Sequence, residues 1–256
     1  MENNNFEKEI NVIGAGLAGS EAAIYLAKKG YKINLFEMRP KFQTGAHKTS
    51  LPAEVVCSNS LGAMDITSAS GMLKKEALLL GSTLFQVALE NSVPAGASLS
   101  IDRVKFSEKI KEIISDFKNI NYIEEKYDKI DPNVPTIIAT GPLTQEDLIK
   151  NIKHEFDSEN FHFYDAIAPI VEKNSIDFSK AFFASRWDKG TADYINCPMT
   201  KEEYEKFYDF LINAKRAPLK EFEANYFEGC MPVEVMASRG KDTLRNFSIA
   251  VYRLKF

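Results

Sequence analysis

The sequence predicts an α/β protein with a parallel sheet, and three stretches near its start carry that prediction. Ile10-Asn-Val-Ile13 is a short, largely β-branched run that ends at a glycine turn. Ala18 to Lys29 then sets Ala22, Ala23, Leu26 and Ala27 on one helical face, and Tyr31-Lys-Ile-Asn-Leu-Phe36 alternates apolar and polar residues. Strand, helix and strand in so short a span make a βαβ unit, whose two strands lie parallel. Gly30 is placed to stop the helix.

Further along, Thr67 to Leu89 reads as largely helical and Val93-Pro-Ala-Gly96 as a turn. Asp102 can cap a helix whose buried face is Phe106, Ile110, Ile113, Ile114 and Phe117. Val134 to Gly141 looks like another sheet strand ending at glycine, Glu202 to Ala214 is an amphipathic helix, and Phe161 to Phe183 is expected to contribute strands.

The turn after the first strand is Gly14-Ala15-Gly16-Leu17-Ala18-Gly19, a complete G-x-G-x-x-G between strand and helix. The first glycine makes the tight turn, the second lets backbone approach a pyrophosphate, and the third lets the helix pack close to the strand. The helix N-terminus then offers free N–H groups and a positive dipole end to the phosphates. Glu37, at the end of the second strand and 18 residues past Gly19, is placed to accept ribose hydroxyls. A carboxylate there suits FAD or NAD and repels the 2′-phosphate of NADP. The motif leaves FAD and NAD open, and the strand ending Ala139-Thr140-Gly141, of a kind recurrent in flavoproteins, tilts the reading to FAD.

Composition narrows the remaining classes. With 45% hydrophobic and 27% charged residues among 256, the chain is an ordinary globular one. Its net charge of −4 provides no global field for nucleic acid or anionic membrane, so any such partner is held by local patches. The start lacks the basic and apolar regions of a signal peptide, and no apolar run approaches the roughly 20 residues of a membrane helix. A cytoplasmic location is expected. Three cysteines, Cys57, Cys197 and Cys230, fit neither a disulfide framework nor a metal site, and taken alone each reads as a small buried hydrophobe. His47, near Arg39, Lys41 and Lys48, can touch a phosphate or nucleotide, although such a cluster is ordinarily solvated surface.

Residues 1–155 hold ten of the 29 aromatic residues and residues 156–227 hold 16, which marks a second packing unit. The expected division is 1–145 for the N-terminal part of the nucleotide domain, 146–245 for an insert that binds substrate, and 246–256 for a tail.

Several segments together resemble one family. They include Asn11 to Ala23, Phe36-Glu-Met-Arg-Pro40, Val55-Val-Cys-Ser-Asn-Ser-Leu61, Tyr194-Ile-Asn-Cys-Pro-Met-Thr200 and Tyr226-Phe-Glu-Gly-Cys-Met-Pro232. They are similar to TrmFO, the folate- and FAD-dependent tRNA (uracil-5-)-methyltransferases, from about Asn11 to about Arg245. The resemblance implies a Rossmann-like FAD-binding domain with a parallel sheet, interrupted by an aromatic-rich α/β insert. It also implies FAD at Gly14, Ala15, Gly16, Leu17, Ala18, Gly19, Glu37 and Arg39, a methylene from 5,10-methylenetetrahydrofolate, and reduction by NADH or NADPH. The RNA partner it implies is tRNA. Uracil C5 becomes nucleophilic only after a thiolate adds at C6, and a second group must then take the C5 proton. The family's two functional cysteines fall on Cys230, assigned the addition, and Cys57, assigned the proton or a place beside the flavin.

The family pattern departs at the C-terminal side. Residues 246–256 do not match it, and the segment that returns to complete the flavin domain has no counterpart, so the chain reads as shortened there. Beside tRNA methylation stand two alternatives: a paralogue acting on a ribosomal RNA uracil, and a non-catalytic remnant that binds nucleotide or RNA alone.

Overall fold

The computed structural model describes residues 9–44, 46–56, 58–141, 144–156, 172–185, 190–215 and 233–248. The chain forms two compact units, one of residues 1–93 and 98–167, the other of residues 94–97 and 168–256.

The first unit is built on four parallel strands, β1 (Glu9–Ile13), β2 (Lys32–Phe36), β6 (Ile120–Ile123) and β7 (Thr136–Ile138), in the order β6-β2-β1-β7. Later strands add on both sides of β1, so the order reverses between β1 and β7, and in such sheets ligands bind beyond the strands' C-terminal ends at that reversal. Consecutive residues of β1 point to opposite faces. Val12 joins Ile33 and Leu35 in the main core, with Ala23 and Ile24 of α1 (Leu17–Lys28), Val87 of α3 (Thr83–Glu90), and Phe106 and Ile110 of α4 (Arg103–Asp116). Ile13 points the other way, into a second cluster with Leu148 and Ile152 of α5 (Glu146–Phe156). That packing places α5 in the same unit as the sheet.

The βαβ unit, the Asp102 cap and the strand before Gly141 lie where the sequence puts them. Asp102 accepts hydrogen bonds from the Val104 and Lys105 amides. The expected long helix over Thr67 to Leu89 is two, α2 (Ala69–Leu79) and α3, because Gly81 turns left-handed at φ +83° and Ser82 starts a new helix by accepting from the Phe85 amide. Glu21 on α1 completes that start, taking hydrogen bonds from the Thr83 and Leu84 amides, both at 2.9 Å, and from the Ser82 hydroxyl at 2.6 Å. Glu21→Ala is expected to cost about 1–2 kcal/mol and lower the thermal midpoint by about 2–6 °C. A circular-dichroism melt indistinguishable from wild type would remove this role.

A small antiparallel sheet, β3 (Ser60–Ala63), β5 (Ser98–Ile101) and β4 (Ser92–Val93) in the order β3-β5-β4, also belongs to the first unit.

In the second unit, β8 (Phe182–Ala184) pairs antiparallel with β9 (Tyr194–Asn196). Of Phe161 to Phe183, where strands were expected, residues 161–171 lie outside the described residues, and β8 begins at the end of the span. Helix α6 (Lys201–Asn213) opens with a capping box between Thr200 and Glu203 and buries Tyr204 against Ala237 of α7 (Val233–Ser238) and Leu244 of α8 (Lys241–Ser248). The Tyr204 hydroxyl donates to the Lys241 carbonyl at 2.7 Å and that of Tyr208 to the Ala237 carbonyl at 3.1 Å. The turn at Gly96 has φ +61°, and its amide donates to Asp193 at 2.7 Å. Cys197 is exposed, which removes its reading as a buried hydrophobe. Among the described residues no helix is long and apolar enough to cross a membrane.

Candidate dinucleotide site

A cavity of about 600 Å³ lies beyond the C-terminal ends of the parallel strands, lined by Ile13, Gly14, Phe36, Glu37, Ala139 and Gly141 among others. Its size lies within the range of small-molecule and cofactor pockets. The glycine motif forms one wall, and each glycine there answers a different constraint. Gly14 has φ +95°, and a Cβ on it would sit 2.8 Å from the Ala139 carbonyl oxygen. A Cβ on Gly19 would lie 1.8 Å from the carbonyl oxygen of Gly14, so helix and strand meet there through backbone alone. At Gly16 a Cβ would meet nothing within 4 Å. Its φ of −70° and ψ of −168° are open to any residue, so the protein itself does not demand glycine at this position.

Gly16 is also the N-cap of α1, and no side chain caps that terminus. Gly16, Leu17 and Ala18 line the cavity, so the first amides of the helix border free space. These features suit a pyrophosphate: an uncapped positive helix end and a place where backbone can be approached closely. Ala15, by contrast, is fully buried, and its amide donates to Glu37 at 3.1 Å. Gly19 is buried within the strand–helix contact.

Glu37 stands at the end of β2 and lines the cavity, as the spacing predicts, but it is 5% exposed and heavily engaged. One carboxylate oxygen accepts from the Arg39 amide at 3.1 Å and Arg39 Nε at 2.9 Å; the other accepts from the Ala15 amide at 3.1 Å and Arg39 Nη2 at 3.0 Å. A carboxylate offers about four acceptor positions, so a ribose hydroxyl reaching Glu37 must take one over. Burial alone would raise the Glu37 pKa. The bonds and charge of Arg39, with the Arg39 and Ala15 amides, outweigh it and hold the carboxyl below its usual range.

Arg39, 2% exposed, extends this network to Glu54, which its Nη1 meets at 3.0 Å. Glu54 also accepts from the Lys48 amide at 2.7 Å and from the amide and hydroxyl of Thr49 at 3.1 and 2.9 Å. The segment after β2 is thus tied down beside the cavity by one guanidinium between two carboxylates. The sequence signals only Glu37 and Arg39; the part played by Thr49 and Glu54 is visible only once the chain has folded back.

His47 corrects the surface reading of its cluster. It is half-buried, lines the cavity, and its Nδ1 lies 2.5 Å from the Thr44 hydroxyl, whereas Lys41 and Lys48 are exposed. Burial and then the charge of Arg39 push its pKa down, against the pull of Glu54 and Glu37, which favours a neutral imidazole. Tyr127, packed 4.7 Å from Phe36 between ring centroids, and Thr140, Gln145 and Lys126 also line the cavity, unpredicted. Cys57 and Cys230 lie outside the described residues; Val56 and Ser58, the neighbours of Cys57, line the cavity.

Residues 9–255 match the family described as glucose inhibited division protein A. The chain belongs to that family. Within the glucose inhibited division protein A family it is similar to methylenetetrahydrofolate--tRNA-(uracil-5-)-methyltransferase TrmFO of Bacillus cereus (strain Q1), 54% identical over 236 residues, which are 92% of this chain and 54% of that protein. The TrmFO of Bacillus anthracis (strain CDC 684 / NRRL 3495) matches with the same identity and the same shares. This chain therefore spans about half the length of the curated relatives it matches. Among solved structures it is distantly similar to CtdE in complex with FAD and substrate 4, at 14% identity and a TM-score of 0.34, over 54% of this chain and 39% of that one.

Proposed function

We propose that this chain carries the FAD-binding part of a folate-dependent tRNA (uracil-5-)-methyltransferase. The observation that carries the reading is the open space before Gly16, at the uncapped end of α1, in a chain 54% identical to proteins named TrmFO. The amides of Gly16, Leu17 and Ala18 hold the pyrophosphate, Gly14 and Gly19 keep strand and helix close enough to present them, and Ala15 fixes Glu37 through its amide. Glu37 and Arg39 face the ribose together. Bound FAD, reduced by NADH or NADPH, supplies the reducing equivalents that turn a methylene drawn from 5,10-methylenetetrahydrofolate into a methyl group.

The remaining steps belong to the two thiols and the RNA. The Cys230 thiolate adds to uracil C6, and C5 of the resulting enolate bonds to the methylene carbon, whose iminium electron pair returns to the carrier nitrogen; Cys57 then takes the C5 proton as that nitrogen leaves, and a hydride, which the reduced flavin would supply, adds to the exocyclic methylene and expels the Cys230 thiolate from C6. A cytoplasmic location goes with this reading.

A trapped adduct tests this assignment. With tRNA carrying 5-fluorouracil, whose C5 fluorine cannot leave as a proton does, mass spectrometry is expected to find RNA bound through Cys230 in the FAD-loaded chain and no adduct in Cys230→Ala, with flavin content equal in the two. Cys57→Ala is expected to keep the adduct and lose methylation of ordinary tRNA by about 1,000-fold or more. An adduct that persists in Cys230→Ala and vanishes in Cys57→Ala would exchange the two roles. Methylation unaffected by either substitution would reject the mechanism.

A further inference from the structure

Lys74, on α2, is 3% exposed. Its ammonium donates to the Ala63 carbonyl at 3.0 Å, the Ser70 carbonyl at 3.1 Å and the Ser70 hydroxyl at 2.6 Å. Three N–H bonds thus meet three neutral acceptors, and among the described residues no carboxylate pairs with it. A buried cation without a counter-charge is unfavourable for stability alone, and burial pushes its pKa below the ordinary lysine value. A base able to activate Ser70 would need a free lone pair; with all three protons engaged, this lysine is a clamp.

What it clamps borders the cavity. Ala63 ends β3, and the pairing of β3 with β5 shifts register between Ser60 and Ala63. Gly62, inside that irregularity, has φ +85°, and a Cβ on it would sit 2.7 Å from Ser70 Oγ, so β3 lies tightly on α2 at the point where Lys74 bonds. Such irregularities re-aim side chains and recur beside active sites. Immediately before it, Ser58, Ser60 and Leu61 line the cavity.

We propose that Lys74 is a positioning residue of the dinucleotide site: its ammonium holds the irregular end of β3 on α2 and so sets the cavity wall formed by Ser58, Ser60 and Leu61. The proposal rests on the reading of that cavity as the FAD site.

Hydrogen exchange and FAD titration on the whole chain test the two ideas separately. In Lys74→Met, amides 58–63 are expected to exchange about 10-fold faster or more while those of β1 hold their rates, and FAD to bind about 10-fold more weakly. Lys75→Met, one residue on and exposed, is expected to change neither. Should Lys74→Met fail to fold, Ser70→Ala, which removes one acceptor and keeps the lysine, is expected to speed exchange over 58–63 to a smaller degree. Unchanged exchange at 58–63, or acceleration spread evenly through the sheet, would overturn the positioning role. So would wild-type FAD affinity in a variant whose 58–63 amides are loosened. A wild-type chain that is folded and ignores FAD would instead reject the site reading, with the exchange data still deciding whether Lys74 sets the wall.

Discussion

Gly16→Val is expected to abolish FAD binding in a chain that still folds. The backbone at Gly16 accepts any side chain, and a Cβ there contacts nothing in the protein, so the substitution has no internal clash to relieve. The added atoms fill only the space in which a pyrophosphate has to approach the amides of α1. Affinity is expected to fall roughly 100-fold or more, equivalent to about 2.8 kcal/mol, with a ligand-free melting temperature close to wild type. Gly19→Ala makes the contrast. Its Cβ would stand 1.8 Å from the Gly14 carbonyl oxygen, so α1 and β1 must separate, at a stability cost of about 3 kcal/mol or more. Fluorescence titration and a thermal melt on both variants read the difference: the first loses ligand and keeps the fold, the second loses both. Two variants behaving alike in the melt would mean that the motif's glycines are not divided between packing and ligand approach.

The second large effect is expected at Arg39. Arg39→Met leaves Glu37 and Glu54, whose side chains are 6% and 8% exposed, without the guanidinium that joins them, and stranding buried charge in this way typically costs about 3–5 kcal/mol. The pH dependence identifies the cause. In wild type the Glu37 pKa is held below its ordinary 4.5, so its contribution is fully present above that value and is lost as pH falls through the folded-state pKa. Without Arg39, burial dominates and raises the pKa, so the variant gains relative stability when protonation discharges the carboxylate. Urea unfolding is therefore expected to show a wide gap between the two proteins at pH 7 that narrows as pH falls through 4.5. A gap independent of pH would mean that Arg39 acts through packing of its stem.

The parts legible in the sequence are those set by neighbours in the chain. The strand, glycine turn and helix around Gly14 to Gly19 depend on local backbone freedom and local periodicity, and Asp102 announces a helix by capping it. Helix α5 escaped because, among its described side chains, Leu148 and Ile152, one turn apart, are the buried ones amid charged residues, too narrow a stripe to stand out. The β3-β5-β4 sheet escaped because serines hold positions that the pattern leaves open, and pairing from Ser60 to Ser100 is not local. Glu37 follows β2 and lines the cavity, but nothing in its spacing says that Arg39, two residues on, occupies its acceptors. Lys74 and Lys75 read alike as surface until α2 turns one of them inward. The thiols came from resemblance alone, since no periodicity distinguishes Cys57 or Cys230 from an inert cysteine.

The proposed function rests on the cavity beyond β1, β2 and β7, and titrating the chain in parallel with FAD and with FMN tests it most directly. FMN carries the flavin and one phosphate but lacks the adenosine half, which the proposal assigns to the glycine loop and the Glu37–Arg39 pair. Fluorescence quenching is expected to show one FAD per chain, with FMN bound roughly 100-fold more weakly. Equal affinity for the two, or a folded chain that binds neither, would contradict the dinucleotide site.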